Sequence, residues 1–238
     1  MRAGLGALLL CATAASAEIS TDPEIAPAPY DEIAALTRGR VDFDLLPRLP
    51  EPGHNLDHGI AFAGGRLGER FAGQRLEPVE QAPGLPHDRA AGAPETPLAV
   101  IDGAPGQNLS VSFHRAFLSN ALYPLGPRGY PEAEARGEGS AAFFFTRDSC
   151  AFALRLHTEY LDDLGTNADH TGEVSFTFYA RDGRMLGRET RAVPGGISSH
   201  GFQTADGAAR IAGVLVENLD PGGIALDDIR FGCIPRLG

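Results

Sequence analysis

The chain contains no tryptophan and only five tyrosines among 238 residues, so flat aromatic platforms of the kind that stack on sugars are scarce. Lysine is absent too. All 20 basic residues are arginines, set against 31 acidic residues, for a formal net charge of −11. An acidic chain without a basic stripe repels phosphate backbones and anionic lipid, which argues against nucleic acid as a partner. No stretch approaches the ~20 apolar residues of a membrane-spanning helix, so no membrane span is expected. The helical zinc-protease motif and the phosphate-binding glycine loop are both missing. Gly196-Ile197-Ser198-Ser199-His200 lacks the second glycine of a nucleophile elbow, so a loop is the simpler reading. No catalytic and no cofactor-binding residue is assigned.

What is present begins with the leader. Met1-Arg2 carries one positive charge, Leu5 to Ala12 is a short apolar run, and small residues stand at Ala15 and Ala17 before Glu18. This pattern reads as a signal peptide over 1–17, cleaved after Ala17, and predicts a secreted or periplasmic protein. The alternative is a lipoprotein anchor on Cys11, which Leu10 disfavours because that processing site wants a small residue before the cysteine. With Cys11 removed, only Cys150 and Cys233 remain, an even count in a chain bound for an oxidising compartment. They are expected to pair, closing a loop of ~80 residues worth on the order of 4 kcal/mol in the chain-entropy picture. Two separately buried thiols are the alternative.

Residues 18–40 read as an extended tether, because Asp22-Pro23 and Ala26-Pro27-Ala28-Pro29 supply almost no large apolar side chain. A short helix could follow over Tyr30 to Thr37. A single β-sandwich domain is expected over 41–238, starting with the alternation of Val41-Asp42-Phe43-Asp44-Leu45. Loops dominate between Pro47 and Pro97, with Ile60-Ala61-Phe62 as the convincing strand there and weaker strand candidates near Leu67 to Phe71 and Leu76 to Val79. Leu98 to Ile101 and Leu109 to Phe113 read as further strands, and Tyr123 to Gly139 as a long Pro/Gly-rich insertion.

The second half is more regular. Ala141 to Thr146 is an apolar strand. Phe152, Leu154 and Leu156 alternate with Ala153, Arg155 and His157; Val174, Phe176 and Phe178 alternate with Ser175, Thr177 and Tyr179. Arg181-Asp182-Gly183-Arg184 is an Asp-Gly hairpin signal, with Met185 to Val193 returning. Ile211 to Val216 and Ile224 to Phe231 complete the set. Short strands between turns, with no sustained helical period, predict an all-β fold of two antiparallel sheets, of the jelly-roll or galactose-binding-like type.

The stretch from Phe176 to Phe231 resembles the β-sandwich domains of exported bacterial proteins, including many with a C-terminal PEP sorting signal. The resemblance rests on the Asp-Gly hairpin, Gly201-Phe202, Val214-Leu215-Val216-Glu217-Asn218, and the closing run Gly223 to Phe231. That run is also similar to the last strand of jelly-roll carbohydrate-binding modules, in which an aspartate just before it helps hold a structural calcium ion. The N-terminal half matches loosely, and the usual sorting helix is not found at the end of the chain.

Asp227 is therefore the candidate metal residue. Period-two alternation puts it on one face with Ile229 and Phe231, where a carboxylate at the core edge needs donors or a cation such as calcium. The plainer alternative is that Asp227 caps a turn or accepts backbone amides. Asp162, Asp163, Asn167 and Asp169 form a second acidic group without the spacing of a helix-loop-helix calcium site. His54, Asp57 and His58 could ligate a divalent ion but lack a third ligand at a recognisable spacing. Tyr123 and Tyr130 are the candidate ligand-binding aromatics, or else pin their loop to its own domain. The resulting expectation is a secreted, non-catalytic binding or cell-envelope module whose ligand is a carbohydrate. The alternative is a secreted hydrolase with its site in the loops between His54 and Asp88.

Overall fold

The computed structural model describes residues 24–82, 85–158, 171–219 and 222–233. Its elements follow in chain order. The first part holds β1 (Ile25–Pro27), α1 (Tyr30–Leu36), β2 (Gly39–Val41), β3 (His54–Asn55), β4 (Ile60–Phe62), β5 (Gly65–Gly68), β6 (Arg70–Phe71), β7 (Arg75–Ala82), β8 (Leu85–Ala91) and β9 (Val100–Ile101). The second part holds β10 (Leu109–His114), β11 (Ser119–Pro124), a 3-10 turn (Ala133–Ala135), β12 (Ser140–Ser149), β13 (Ala151–Thr158), β14 (Thr171–Tyr179), β15 (Met185–Pro194), β16 (Gly196–Thr204), β17 (Ile211–Asn218) and β18 (Ile224–Gly232).

Alternation decides where these strands go, because each has one apolar face to bury. Sheet A runs β1-β16-β13-β18-β11-β10-β3, with β2 beside β18; sheet B runs β15-β14-β17-β12-β5-β4, and the named pairs are antiparallel. The eight strands from β11 to β18 divide as β11-β18-β13-β16 against β12-β17-β14-β15, the strand order of a double Greek key jelly roll. The expected all-β sandwich is thus the observed fold. Phe152, Leu154 and Leu156 from sheet A face Phe143, Phe145, Phe176 and Phe178 from sheet B, all fully buried. Their rings interlock at centroid separations of 5.4 Å for Phe143 with Phe152 and 4.8 Å for Phe176 with Phe202. Each such side chain contributes about 1.5–3 kcal/mol by leaving water. The Asp182-Gly183 hairpin forms as expected, Gly183 adopting a φ of +83°.

Cys150 and Cys233 stand at disulfide distance, with Cα atoms 4.6 Å apart, tying the start of β13 to the end of β18. No helix among the described residues is long and apolar enough to cross a membrane. Residues 1–23, with the expected leader and the first part of the expected tether, lie outside the described residues.

Three expectations need correction. First, the folded region begins before Val41. Ile25 is in the core, and β1 pairs with β16 through Ile25↔Thr204 and Pro27↔Phe202; proline is tolerated because β1 is an edge strand. The helix α1 then packs Tyr30 and Ile33 on Ala151 and Ala153, on the outer face of sheet A. Gly201 permits the approach, since a Cβ there would lie 2.5 Å from the Ala28 carbonyl oxygen. Second, the loops of the N-terminal half are largely a cover. Strands β4 and β5 extend sheet B, while Phe71, Leu98 and Ala90 from β6, the loop before β9 and β8 pack on Ala142, Leu215 and Tyr179 of its outer face. Third, Tyr123 belongs to a strand, β11, and the insertion starts after it.

Burying the cover over sheet B also buries acids. Glu69 is fully buried, and burial, opposed by Arg70 and reinforced by the charge of Asp88, raises its carboxyl to about 8. Burial likewise raises Asp88 to about 6, again against Arg70. Glu217 accepts the backbone N–H of Ala90 at 2.9 Å, fastening β8 to β17.

Candidate functional site

The outer face of sheet A carries two adjoining hollows, of about 240 and 700 Å³, that share Glu51, His114 and His157. The two histidines come from β10 and β13, which are separated in the sheet by β11 and β18. Ala121 and Ala225, on those intervening strands, are small enough for the two rings to meet above them, edge to face at 4.4 Å between centroids. Phe117 adds a third ring, 4.8 Å from His114, and Tyr123 a fourth at 6.1 Å.

Hydrogen bonds set the chemistry of each group. The backbone N–H of Phe117 donates to His114 Nδ1 at 3.2 Å, so the His114 proton resides on Nε2, which remains a donor. Burial first, then the charge of His157, lowers His114 to about 4, so its imidazole is neutral near physiological pH. The Tyr123 hydroxyl donates to Glu51 Oε1 at 3.3 Å, and the other oxygen of Glu51 pairs with Arg136. Burial pushes the Tyr123 phenol well up, so it stays protonated. The backbone of Gly222 and Gly223 completes one wall. The site thus offers one neutral imidazole donor, an internally compensated Glu51–Arg136 pair, and ring faces, with Arg115 at its margin.

The residues singled out from sequence fare differently. Tyr123 lines the site but is only 7% exposed, so it serves by its edge and hydroxyl rather than as an exposed platform. Tyr130 lies elsewhere: its hydroxyl donates to the Gly53 carbonyl at 3.1 Å and pins its own loop. Asp227 is not on the face of Ile229 and Phe231. Asp228 adopts a φ of +50° and inserts a bulge between the pairs Arg155↔Asp227 and Ala153↔Arg230, which reverses the alternation. Ile229 and Phe231 point into the core, and Asp227 points to the outer face, where it is nonetheless 3% exposed.

There Asp227 accepts the Ser119 hydroxyl at 2.6 Å and the Asp228 amide at 2.7 Å. Burial, with the nearby charges of Asp228 and Asp44 adding to it, raises its carboxyl to about 7 against those two bonds. The positive charge at this corner comes from Arg40, Arg155 and Arg230, 3.0, 3.4 and 3.8 Å from the Asp228 carboxylate. Among the described residues no group of three or more His, Cys, Asp or Glu side chains could hold a metal ion. Asp162, Asp163, Asn167 and Asp169 lie outside the described residues.

His54, Asp57 and His58 are not brought together. His54 Nε2 contacts the Pro47 carbonyl at 2.9 Å, Asp57 accepts the Gly106 amide at 2.6 Å, and His58 pairs with Asp102 at 3.1 Å. His54, Asp57 and His58 are therefore not a convergent set. Gly196 to His200, expected as a loop, instead forms the first half of strand β16 because β13 pairs with it, and Ser198 and His200 meet there at 2.8 Å on its inward face. Burial, then the charge of Arg191, lowers His200 to about 4, which makes it a weak base. Among the described residues no carboxylate orients its other nitrogen, so this pair falls short of a triad.

No family model, curated protein or solved structure was found to match the chain. Function is consequently argued from the site alone. Sequence reasoning missed His114, Glu51 and Arg136, although alternation along β13 did place His157 on the outward face with Ala153 and Arg155.

Proposed function

We propose that the chain is an exported binding module of the cell envelope that takes a saccharide in the hollows on the outer face of sheet A. The observation that carries this reading is the His114 arrangement: a neutral imidazole with its Nε2–H free to donate, set among the rings of Phe117, His157 and Tyr123. Sugars present hydroxyls that both donate and accept, and apolar C–H faces that rest on rings. Neutral, directional partners on a largely fixed wall suit them. The lack of tryptophan limits the stacking area and implies modest affinity for a short glycan. Export is supported by the Cys150 and Cys233 pairing, since structural disulfides belong to oxidising compartments.

The test is a glycan array followed by calorimetry on the best ligands, using wild type and His114→Phe, which retains ring volume and removes the donor. Selective binding by the wild type, weakened ten-fold or more in the variant, is expected. Equal binding by both proteins, or an empty array, refutes the reading.

A further inference from the structure

A third cleft, of about 560 Å³, lies at one end of the sandwich, away from the histidine hollows and sharing no lining residue with them. Its volume is within the ~300–1,000 Å³ of small-molecule sites. The floor is Phe231, held edge-on to Phe62 at 5.5 Å and stacked on Phe145 at 4.8 Å, so the ring is fixed by the core behind it. Gly39 and Gly64 flank that ring. A Cβ at Gly64 would come within 3.1 Å of it, and one at Gly39 within 2.6 Å, so any larger residue would close the approach to the ring. Leu36, 47% exposed, extends the apolar surface at the rim.

The charges at this rim are unbalanced. Asp148 is committed to Arg181, whose guanidinium donates to it at 2.6 and 2.8 Å. Arg38 and Arg147 are exposed, and among the described residues neither has an ion pair or a hydrogen bond. In a chain of net charge −11, where most arginines are matched to a carboxylate, two unmatched guanidinium groups around one apolar cleft are a local reversal of the overall field. A guanidinium is well shaped for a carboxylate, which it can grip with two parallel N–H donors.

We infer that this cleft binds a single-chain carboxylate amphiphile of the fatty-acid class, its chain on Phe231 and Leu36 and its headgroup between Arg38 and Arg147. The apolar floor selects against small anions, and the two cations select against neutral alcohols of the same length.

Calorimetry with decanoate, 1-decanol and acetate on the full chain tests this, alongside the double variant Arg38→Gln/Arg147→Gln. Both arginines are exposed and without partners, so the variant's melting midpoint should match that of the wild type. Decanoate is expected to bind one to one, at least ten-fold more tightly than either comparator, and the double variant should reduce it to the level of decanol. Decanoate binding that the variant leaves unchanged, decanol binding as tight as decanoate, or no decanoate binding below its micellar range overturns the inference. Because the two sites share no residue, loss of glycan binding in His114→Phe with decanoate binding intact would show that they stand or fall separately.

Discussion

Glu69 offers the sharpest quantitative test of how the cover over sheet B is held. Folded, its carboxyl titrates near 8; released into water it returns to 4.5. Between those values the native state keeps a proton that the unfolded chain has given up, so stability declines as pH rises, by about 1.4 kcal/mol per pH unit, and levels off above about 8. Over the whole interval this amounts to about 5 kcal/mol, comparable to the total stability of a small domain. Buried His114 and His200, both lowered from 6.5 to about 4, act in the opposite sense: the native state resists protonation, so they remove stability as pH falls below 6.5 and contribute nothing above it. The window from 6.5 to 8 therefore belongs to the raised acids, Glu69 and Asp227. Urea denaturation across that window should show wild type losing stability with each step. Glu69→Gln, which keeps an acceptor for Arg70 and cannot ionise, should lose about 2 kcal/mol less over the same 1.5 pH units. Parallel profiles for the two proteins would refute the account of a Glu69 carboxyl kept protonated by burial.

Two further outcomes follow from the packing. Replacing both Cys150 and Cys233 by alanine opens a loop spanning 83 residues and should cost about 4 kcal/mol, read as a lowered urea midpoint that reducing agent reproduces in the wild type. Gly201→Ala should push α1 off sheet A, because the new Cβ would meet the Ala28 carbonyl at 2.5 Å and Ile33 Cδ1 at 3.0 Å. A loss of about 1–3 kcal/mol with faster amide exchange over 25–37 is expected, and unchanged exchange there would show that the helix docks by other contacts.

How far the sequence could be read depends on how local its signals are. From Ala141 onward most strands show themselves by alternation or by short apolar runs, their pairings are antiparallel, and turns such as Asp182-Gly183 mark the reversals, so most of the core came out as expected, whereas the glycines and serines of 196–201 hid β16. Strand β1 was illegible because its stabilisation is entirely non-local: a single isoleucine between prolines becomes a strand only when β16 supplies the partner. Strand β11 was hidden for a related reason. Asn120 is fully buried, and its side-chain amide donates to the carbonyls of Phe43 and Leu46, so a polar residue occupies a place that alternation reserves for an apolar one.

The misplacement of Asp227 shows what a period-two argument leaves out. One residue in a left-handed conformation shifts the phase of everything on one side of it, and aspartate tolerates that conformation better than most side chains do. The bulge turns Asp228 toward Arg40 and Arg155 and buries Asp227 against Ser119, on the same outer face that carries the histidines. The same limit governs the site. His114 and His157 are separated by 43 positions in sequence and by two strands in the sheet, and their meeting depends on the jelly-roll crossing that brings β18 between β13 and β11. Alternation could assign each histidine to a face, but only the topology sets one beside the other, and the alanines between them are what let the rings touch.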